Sequence, residues 1–330
     1  MATFCVTRKS VPECADMSPA RDPLAAAVET LLRRFRSQRP LRGGSLLLTI
    51  FGDAIAPRGG AVTLGSLIEL ARPFGLAERL VRTAAGRLAA QGWLEASRLG
   101  RRSQYRLTES GRTLFAEATR RIYAVQPMAW DGRWTLALLA PAARRSRRVL
   151  RQKLRWLGFG ALAPGVYAHP ACSLEEARGW LATLGCAQDA WLLSSRTEAL
   201  ERDRRLAAEG WNLGELARRY RRFRDTFAPV AAAVTAAQAL PARSAFVIRT
   251  LLIHEYRRIH LKDPLLPPPL LPEAWIGAEA YALCRRLYAA VFPAAEQFLS
   301  DTAATLHASL PPPAPAVYAR FGGVAAESPA

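Results

Sequence analysis

Residues Leu76–Leu107 read LAERLVRTAAGRLAAQGWLEASRLGRRSQYRL. Leu76, Leu80, Val81, Ala84 and Leu88 recur at helical spacing, which predicts a helix with one apolar face. The opposite face carries Glu78, Arg79, Arg82, Thr83, Gly86 and Arg87. Trp93-Leu-Glu-Ala96 and Tyr105-Arg-Leu107 then read as two short strands around a basic tip, where Gly100 permits the tight turn. Upstream, Ser45–Phe51 begins a helix that ends before Pro57, and Arg58-Gly-Gly60 turns the chain. Thr63 caps a second helix through Leu64, Leu67, Ile68 and Ala71, which Pro73-Phe-Gly75 breaks. Downstream, Thr108 caps a fourth helix running toward Tyr123. Three helices followed by a hairpin predict a winged helix-turn-helix over residues 45–125.

The rest of the chain bounds the partner. Of 330 residues, 46 are Lys or Arg against 27 Asp or Glu, a net charge of +19, and half the residues are hydrophobic. That apolar share excludes wholesale disorder, and the length suits two or three domains. A coding bias toward arginine accounts for the scarcity of lysine but not for the unbalanced charge; a polyanionic partner does. The longest apolar runs, such as Leu46–Phe51, fall far short of the ~20 residues of a spanning helix. With no secretory signal pattern at the N-terminus, the expected location is the cytoplasm, with no membrane partner. Five scattered cysteines and four scattered histidines show no metal or disulfide spacing, so no metal and no resident cofactor is expected.

Residues 1–44 read as a flexible N-terminal extension holding one short helix around Leu24–Phe35. Residues 126–200 alternate strand, helix and strand. The predicted strands are Thr135–Leu139, Gly165–Ala168 and Trp191–Leu193, and the helices Ala143–Trp156 and Leu174–Leu184. A ferredoxin-like middle domain fits that order. Residues 201–330 are mostly helical (Leu213–Phe227, Ala245–Leu261, Ala278–Phe292), with a rigid Pro-rich connector at 263–272 and a disordered proline-rich tail. The fold class is therefore α+β.

Candidate DNA contacts are Arg58, Glu78, Arg79, Arg82, Thr83 and Arg87, joined by Arg98, Arg101, Arg102, Gln104 and Arg106 from the hairpin. A helix fits the ~12 Å major groove with its N-terminal side chains at base edges, and Arg79 and Arg82 are best placed for that. The hairpin can straddle backbone or enter a minor groove, whose negative potential attracts arginine. An ordinary solvated face is the plainer account of either element alone; the two in this order argue for double-stranded DNA. A second cluster, Arg144, Arg145, Arg147, Arg148, Arg151, Lys153 and Arg155, fits a phosphate surface, an anionic ligand site or a solubilising helix face.

The sequence resembles the PaaX family of phenylacetate-catabolism repressors. The matching stretches include Ser45-Leu-Leu-Leu-Thr49, Pro57-Arg-Gly-Gly60, Pro73-Phe-Gly-Leu76, Val81-Arg-Thr-Ala84, Gly92-Trp-Leu94 and Gly100-Arg-Arg-Ser103. Further on they are Trp130-Asp-Gly-Arg-Trp134, Gly158-Phe-Gly160, His254-Glu-Tyr-Arg257, Asp263-Pro264 and Leu270-Leu-Pro272 with Trp275. The resemblance implies an operator-binding repressor released by phenylacetyl-CoA or a related acyl-CoA, and a middle domain of the Cas2-like ferredoxin fold. A homodimer on a two-fold operator is expected, with effector bound between the second and third domains. Such an effector needs cations for its phosphates and an apolar pocket for its acyl group. His254, Tyr256, Arg257, Arg258, Lys262 and Trp275 are the candidates, although helical spacing keeps them off one shared face; a half-buried Glu255 salt-bridged to an arginine is the plainer reading.

Enzyme readings fare worse, and a non-enzyme is expected. His254 and His260 are six residues apart, so on a helix their rings diverge by ~120° and cannot share zinc. A Cas2-like metal-dependent nuclease needs acids at the end of the first ferredoxin strand, whereas Leu136–Leu139 runs into Ala140-Pro141. A regulator of a different catabolic pathway is the other alternative.

Overall fold

The structure is a computed structural model that describes residues 22–39, 43–124, 129–140, 147–183 and 185–324. Helix α1 (Pro23–Arg36) is capped by Asp22 and buries Leu24, Val28, Leu31, Leu32 and Phe35. This segment is thus no loose extension: an apolar stripe that wide has to be covered, and the helices Leu213–Ala236 and Ala242–His260 cover it. The remainder of the expected extension, residues 1–21 and 40–42, lies outside the described residues.

Helix α2 (Gly43–Ile50) continues through a π-helical turn (Phe51–Ile55) and a 3-10 turn. A short strand that the sequence reading passed over, β1 (Ala61–Thr63), precedes α3 (Leu64–Ala71), whose first turn is capped by the Thr63 hydroxyl. Gly75, at φ +74°, stops the chain after Pro73 and Phe74. Helix α4 (Glu78–Ala90) follows, burying Val81, Ala84, Ala85 and Leu88. The hairpin β2 (Leu94–Leu99) and β3 (Arg102–Leu107) turns at Gly100, and β1 adds a third antiparallel strand beside β3. Helix α5 (Glu109–Tyr123) starts on the predicted Thr108 cap.

The middle segment runs β4 (Trp134–Leu139), α6 (Arg147–Trp156), β5 (Gly160–Ala163), β6 (Val166–His169), α7 (Leu174–Thr183) and β7 (Ala190–Ser195). The antiparallel order β5-β6-β4-β7 is the ferredoxin-like arrangement. Strand β5 is not among the strands the sequence predicts. Helices α6 and α7 cover one sheet face through Leu150, Leu154, Ala177 and Leu181. The other face is covered by α8 (Leu200–Gly210) and by Leu266 and Leu270 of the proline connector. The Trp134 indole donates to Asp203 at 2.6 Å there.

Helices α9 (Leu213–Ala236), α10 (Ala242–His260) and α11 (Ile276–Thr302) complete the chain. They do not form a separate body. Their buried faces join α1–α5 in one continuous core, with Phe74 meeting both Phe35 and Phe246 edge-on. The proline-rich tail packs as well, contrary to the disorder expected of it. Its backbone bonds Pro57, Leu310, Val317 and Phe321 are buried, and Arg320 reaches the centre of the core. Burying a guanidinium requires partners, and Asp53 supplies them. Its carboxylate accepts from Arg249 (2.7 Å), Arg320 (2.8 Å), Tyr123 (2.6 Å) and Tyr288 (2.9 Å). Burial disfavours that charge, but the two guanidiniums and the Tyr123 hydroxyl outweigh it and hold the carboxyl below its usual pKa.

Candidate nucleic-acid interface

Packing of α4 on α2 and α3 settles which of its residues face outward. The i, i+3, i+4 apolar stripe is buried, so Glu78, Arg79, Arg82, Thr83 and Arg87 are left exposed on the opposite side. Arg82 is steadied by its neighbour one turn back: Glu78 Oε1 accepts from Arg82 Nε at 2.8 Å and from Nη2 at 2.6 Å. Both partners are exposed, so the pair is weak in water and can be exchanged for a stronger anion. Thr83 donates its hydroxyl to the Arg79 carbonyl (2.8 Å).

The hairpin holds Arg98, Arg101, Arg102 and Arg106 exposed. Arg98 Nε donates to the Gly100 carbonyl at 3.2 Å and stiffens the tip. Arg82, Arg101 and Arg102 line one cleft of about 400 Å³ beside the N-terminus of α3. Helix and hairpin therefore present their cations to a common space, at a helix end whose dipole also favours anions.

Two of the candidate contacts are corrected. Arg58 is only 2% exposed, with its guanidinium bonded to the Glu296 carboxylate and, at 2.7 Å, to the Pro311 carbonyl. It ties the turn before β1 to α11 and the tail, out of reach of any duplex. Gln104 is also buried: its Oε1 accepts from the Leu306 amide at 2.8 Å, pinning the tail to β3. Arg102, Gln104 and Arg106 share one face of β3, so the tail contact at Leu306, not the pleat, is what sets the buried Gln104 apart from its exposed neighbours.

Except for Trp275, the effector candidates divide between the core and one cleft. His254 and Tyr256 are fully buried; the His254 ring packs edge-on against Phe35, and its Nδ1 bonds Thr49 Oγ1 at 3.1 Å. Tyr256 stacks on His260. Both are core residues, unavailable to a ligand without rearrangement. Trp275 lies apart, half-buried edge-on against Tyr220. Arg257, Arg258 and Lys262 come together along one cleft with α9, and Glu255 does pair with Arg258 at 3.0 Å. Arg257 donates to Thr49 Oγ1 (2.8 Å), Ser45 O (2.6 Å) and Ser45 Oγ (2.8 Å), and burial lowers its pKa to about 10. The cluster thus faces α2, not the middle segment. Sequence reasoning missed the α1 and α9 members of this cleft, Arg34, Arg219 and Arg222. No local signal marks them, since they approach α10 only through tertiary packing.

In the second basic cluster, Arg148, Arg151 and Arg155 are exposed on α6, and Lys153 is half-buried. Arg144 and Arg145, and the side chain of Arg147, lie outside the described residues. Among the described residues, no three His, Cys, Asp or Glu side chains lie close enough to share a metal, and no helix is long and apolar enough to cross a membrane. Asp131, which precedes β4 in the sequence, is exposed beside Arg133.

Three family models match in chain order. They are the PaaX-like protein (residues 42–111), the PaaX protein central Cas2-like domain (127–207) and the PaaX-like protein C-terminal domain (211–301). The transcriptional repressor PaaX of Escherichia coli K12 is 39% identical over 301 residues, covering 90% of this chain and 95% of its own. Among solved structures, the uncharacterized protein Rv0674 from Mycobacterium tuberculosis is 25% identical, with a TM-score of 0.49 over 76% of this chain and 94% of its own. With its three segments matched in order and a curated relative aligned along nearly its whole length, the chain belongs to the PaaX family.

Proposed function

We propose that the protein is a sequence-specific DNA-binding repressor of phenylacetate catabolism genes, released from its operator by phenylacetyl-CoA or a related acyl-CoA. The observation that carries the reading is the convergence of Arg82 on α4 with Arg101 and Arg102 on the hairpin around one cleft. In this reading α3 and α4 form the helix-turn-helix, α4 enters the major groove and the β2–β3 hairpin is the wing. The similarity to a curated transcriptional repressor supports it. A homodimer places two such units on a two-fold operator, so that anything altering their separation lowers affinity at fixed half-site spacing. The Glu78–Arg82 pair holds the arginine extended until a base edge or phosphate replaces the carboxylate.

The effector half of the reading is tested by a gel shift on promoter fragments of phenylacetate catabolism genes, with phenylacetyl-CoA titrated into the preformed complex. Release with a midpoint near the ligand's own dissociation constant is expected. A complex unmoved well above that constant would reject release by this effector and leave the DNA-binding half standing.

A further inference from the structure

Two cavities meet at α10. One is an apolar chamber of about 200 Å³ between α2, α5 and α10, walled by Leu48, Trp93, Phe115, Ala118, Ile122 and Ile253. An apolar cavity of about 150 Å³ is already enough to take benzene. The other is an open cleft of about 620 Å³ lined by Arg34, Arg219, Arg222, Arg257, Arg258 and Lys262. Only two acids, Glu215 and Glu255, answer those six cations, and they pair with Arg219 and Arg258. No ion pair engages Arg34, Arg222 or Lys262 among the described residues. Arg257 and Leu261 line both cavities, so the apolar and cationic spaces share a wall one or two side chains thick.

We infer that one ligand, an acyl thioester of coenzyme A, occupies both: a small aryl or apolar acyl group in the chamber, phosphates in the cleft, and the thioester passing Arg257. The inference rests on the effector reading above and gives that effector a place within the chain. Each half of the ligand finds its own chemistry, guanidinium forks for phosphate and a largely apolar lining for the acyl group. The position also supplies the coupling. Arg257 is the wall between the spaces, and its three bonds hold α10 to Ser45 and Thr49 of α2. Admitting the thioester means exchanging those bonds. Trp93, at the root of the hairpin, and Phe115 of α5 pack edge-on at 6.5 Å in the lining of the same chamber. A ligand there that favours a separated α2–α5 pair shifts α4 and the wing together, and binding of duplex and ligand then oppose each other.

The test uses the full chain, calorimetric titration with phenylacetyl-CoA and with coenzyme A alone, and operator release, each variant being referred to its own ligand-free operator affinity. Ala118→Leu fills the chamber. It should raise the phenylacetyl-CoA dissociation constant at least about tenfold while coenzyme A binds as to the wild type. The exposed double change Arg222→Glu/Lys262→Glu should weaken both ligands about ten- to a hundredfold. The placement is overturned if the wild type responds and both variants respond like it. It is equally overturned if the double change weakens operator binding with ligand affinity intact, which would make the cleft a DNA surface. A wild type that binds no phenylacetyl-CoA overturns the effector reading itself, and the placement with it.

Discussion

Arg82 stands at the centre of an exposed helix face with a single acidic partner, Glu78. If it reads a base, Arg82→Ala costs ~1–3 kcal/mol of operator affinity and relaxes preference at one operator position. Binding assays across single-base operator variants decide this, since a uniform loss across all sequences would make it a phosphate contact. Arg58 predicts the opposite behaviour. Its partners are inside the protein, so Arg58→Ala strands part of the Glu296 charge and costs ~3–5 kcal/mol of folding stability. Denaturant unfolding should show that loss, while the folded variant keeps its operator affinity. His260 supplies a pH signature. Its Nε2 lies 3.0 Å from the Arg121 carbonyl, and its Nδ1 lies 3.1 Å from the Tyr256 hydroxyl, the pattern of a neutral Nε2–H ring. Burial pushes its pKa down to about 4, below the ~6.5 of an unfolded histidine. The unfolded chain therefore binds the extra proton, so this contribution is complete above about pH 6.5 and declines as the pH falls toward 4. His169 titrates in the same window, so the comparison must be wild type against His260→Gln. The variant should lack a decline on the order of 3 kcal/mol across that window; identical pH–stability slopes would contradict the assignment.

At the scale of elements, the proposed role of the hairpin is electrostatic and that of the tail mechanical. Arg101 and Arg102 project from the hairpin tip with no acid paired to them among the described residues. If each neutralises one phosphate, Arg101→Ala/Arg102→Ala reduces the slope of log affinity against log salt by about 2. A slope equal to the wild type would show that the wing stays clear of the backbone. The tail holds the other side of this hairpin. Leu306 bonds Gln104 on β3, while the Ala304 amide bonds Ser66 and its carbonyl accepts from Thr63 at the start of α3. Those contacts explain why local reading succeeded for α3, α4, the Thr63 and Thr108 caps and the Gly100 turn, and failed for Gln104. Periodicity and capping are written within about a dozen residues, whereas the partner of Gln104 lies 202 positions away.

The whole molecule shows the same division. Alternating strands and helices made the ferredoxin-like segment legible, apart from β5 and from the buried Trp134 with which β4 begins. What the sequence concealed is that α1–α5 and the C-terminal helices share one core. Asp53, Arg249, Arg320, Glu296 and Arg58 come from four distant regions, and each alone reads as a solvent-exposed charge. Only their convergence removes them from water. The effector candidates were misjudged for the same reason. His254 and Tyr256 sit in a matched motif but face the core, while Arg34 and Arg222, outside any motif, face the cleft. The central claim remains that α4 and the wing together read a duplex. It is tested most directly by titrating folded protein against a promoter fragment of phenylacetate catabolism genes and a scrambled duplex of equal length, from low to physiological salt. The account predicts binding to both at low salt and a preference for the promoter of ~10³-fold or more at physiological salt. Folded protein that binds neither duplex at low salt, or never distinguishes them, would contradict it.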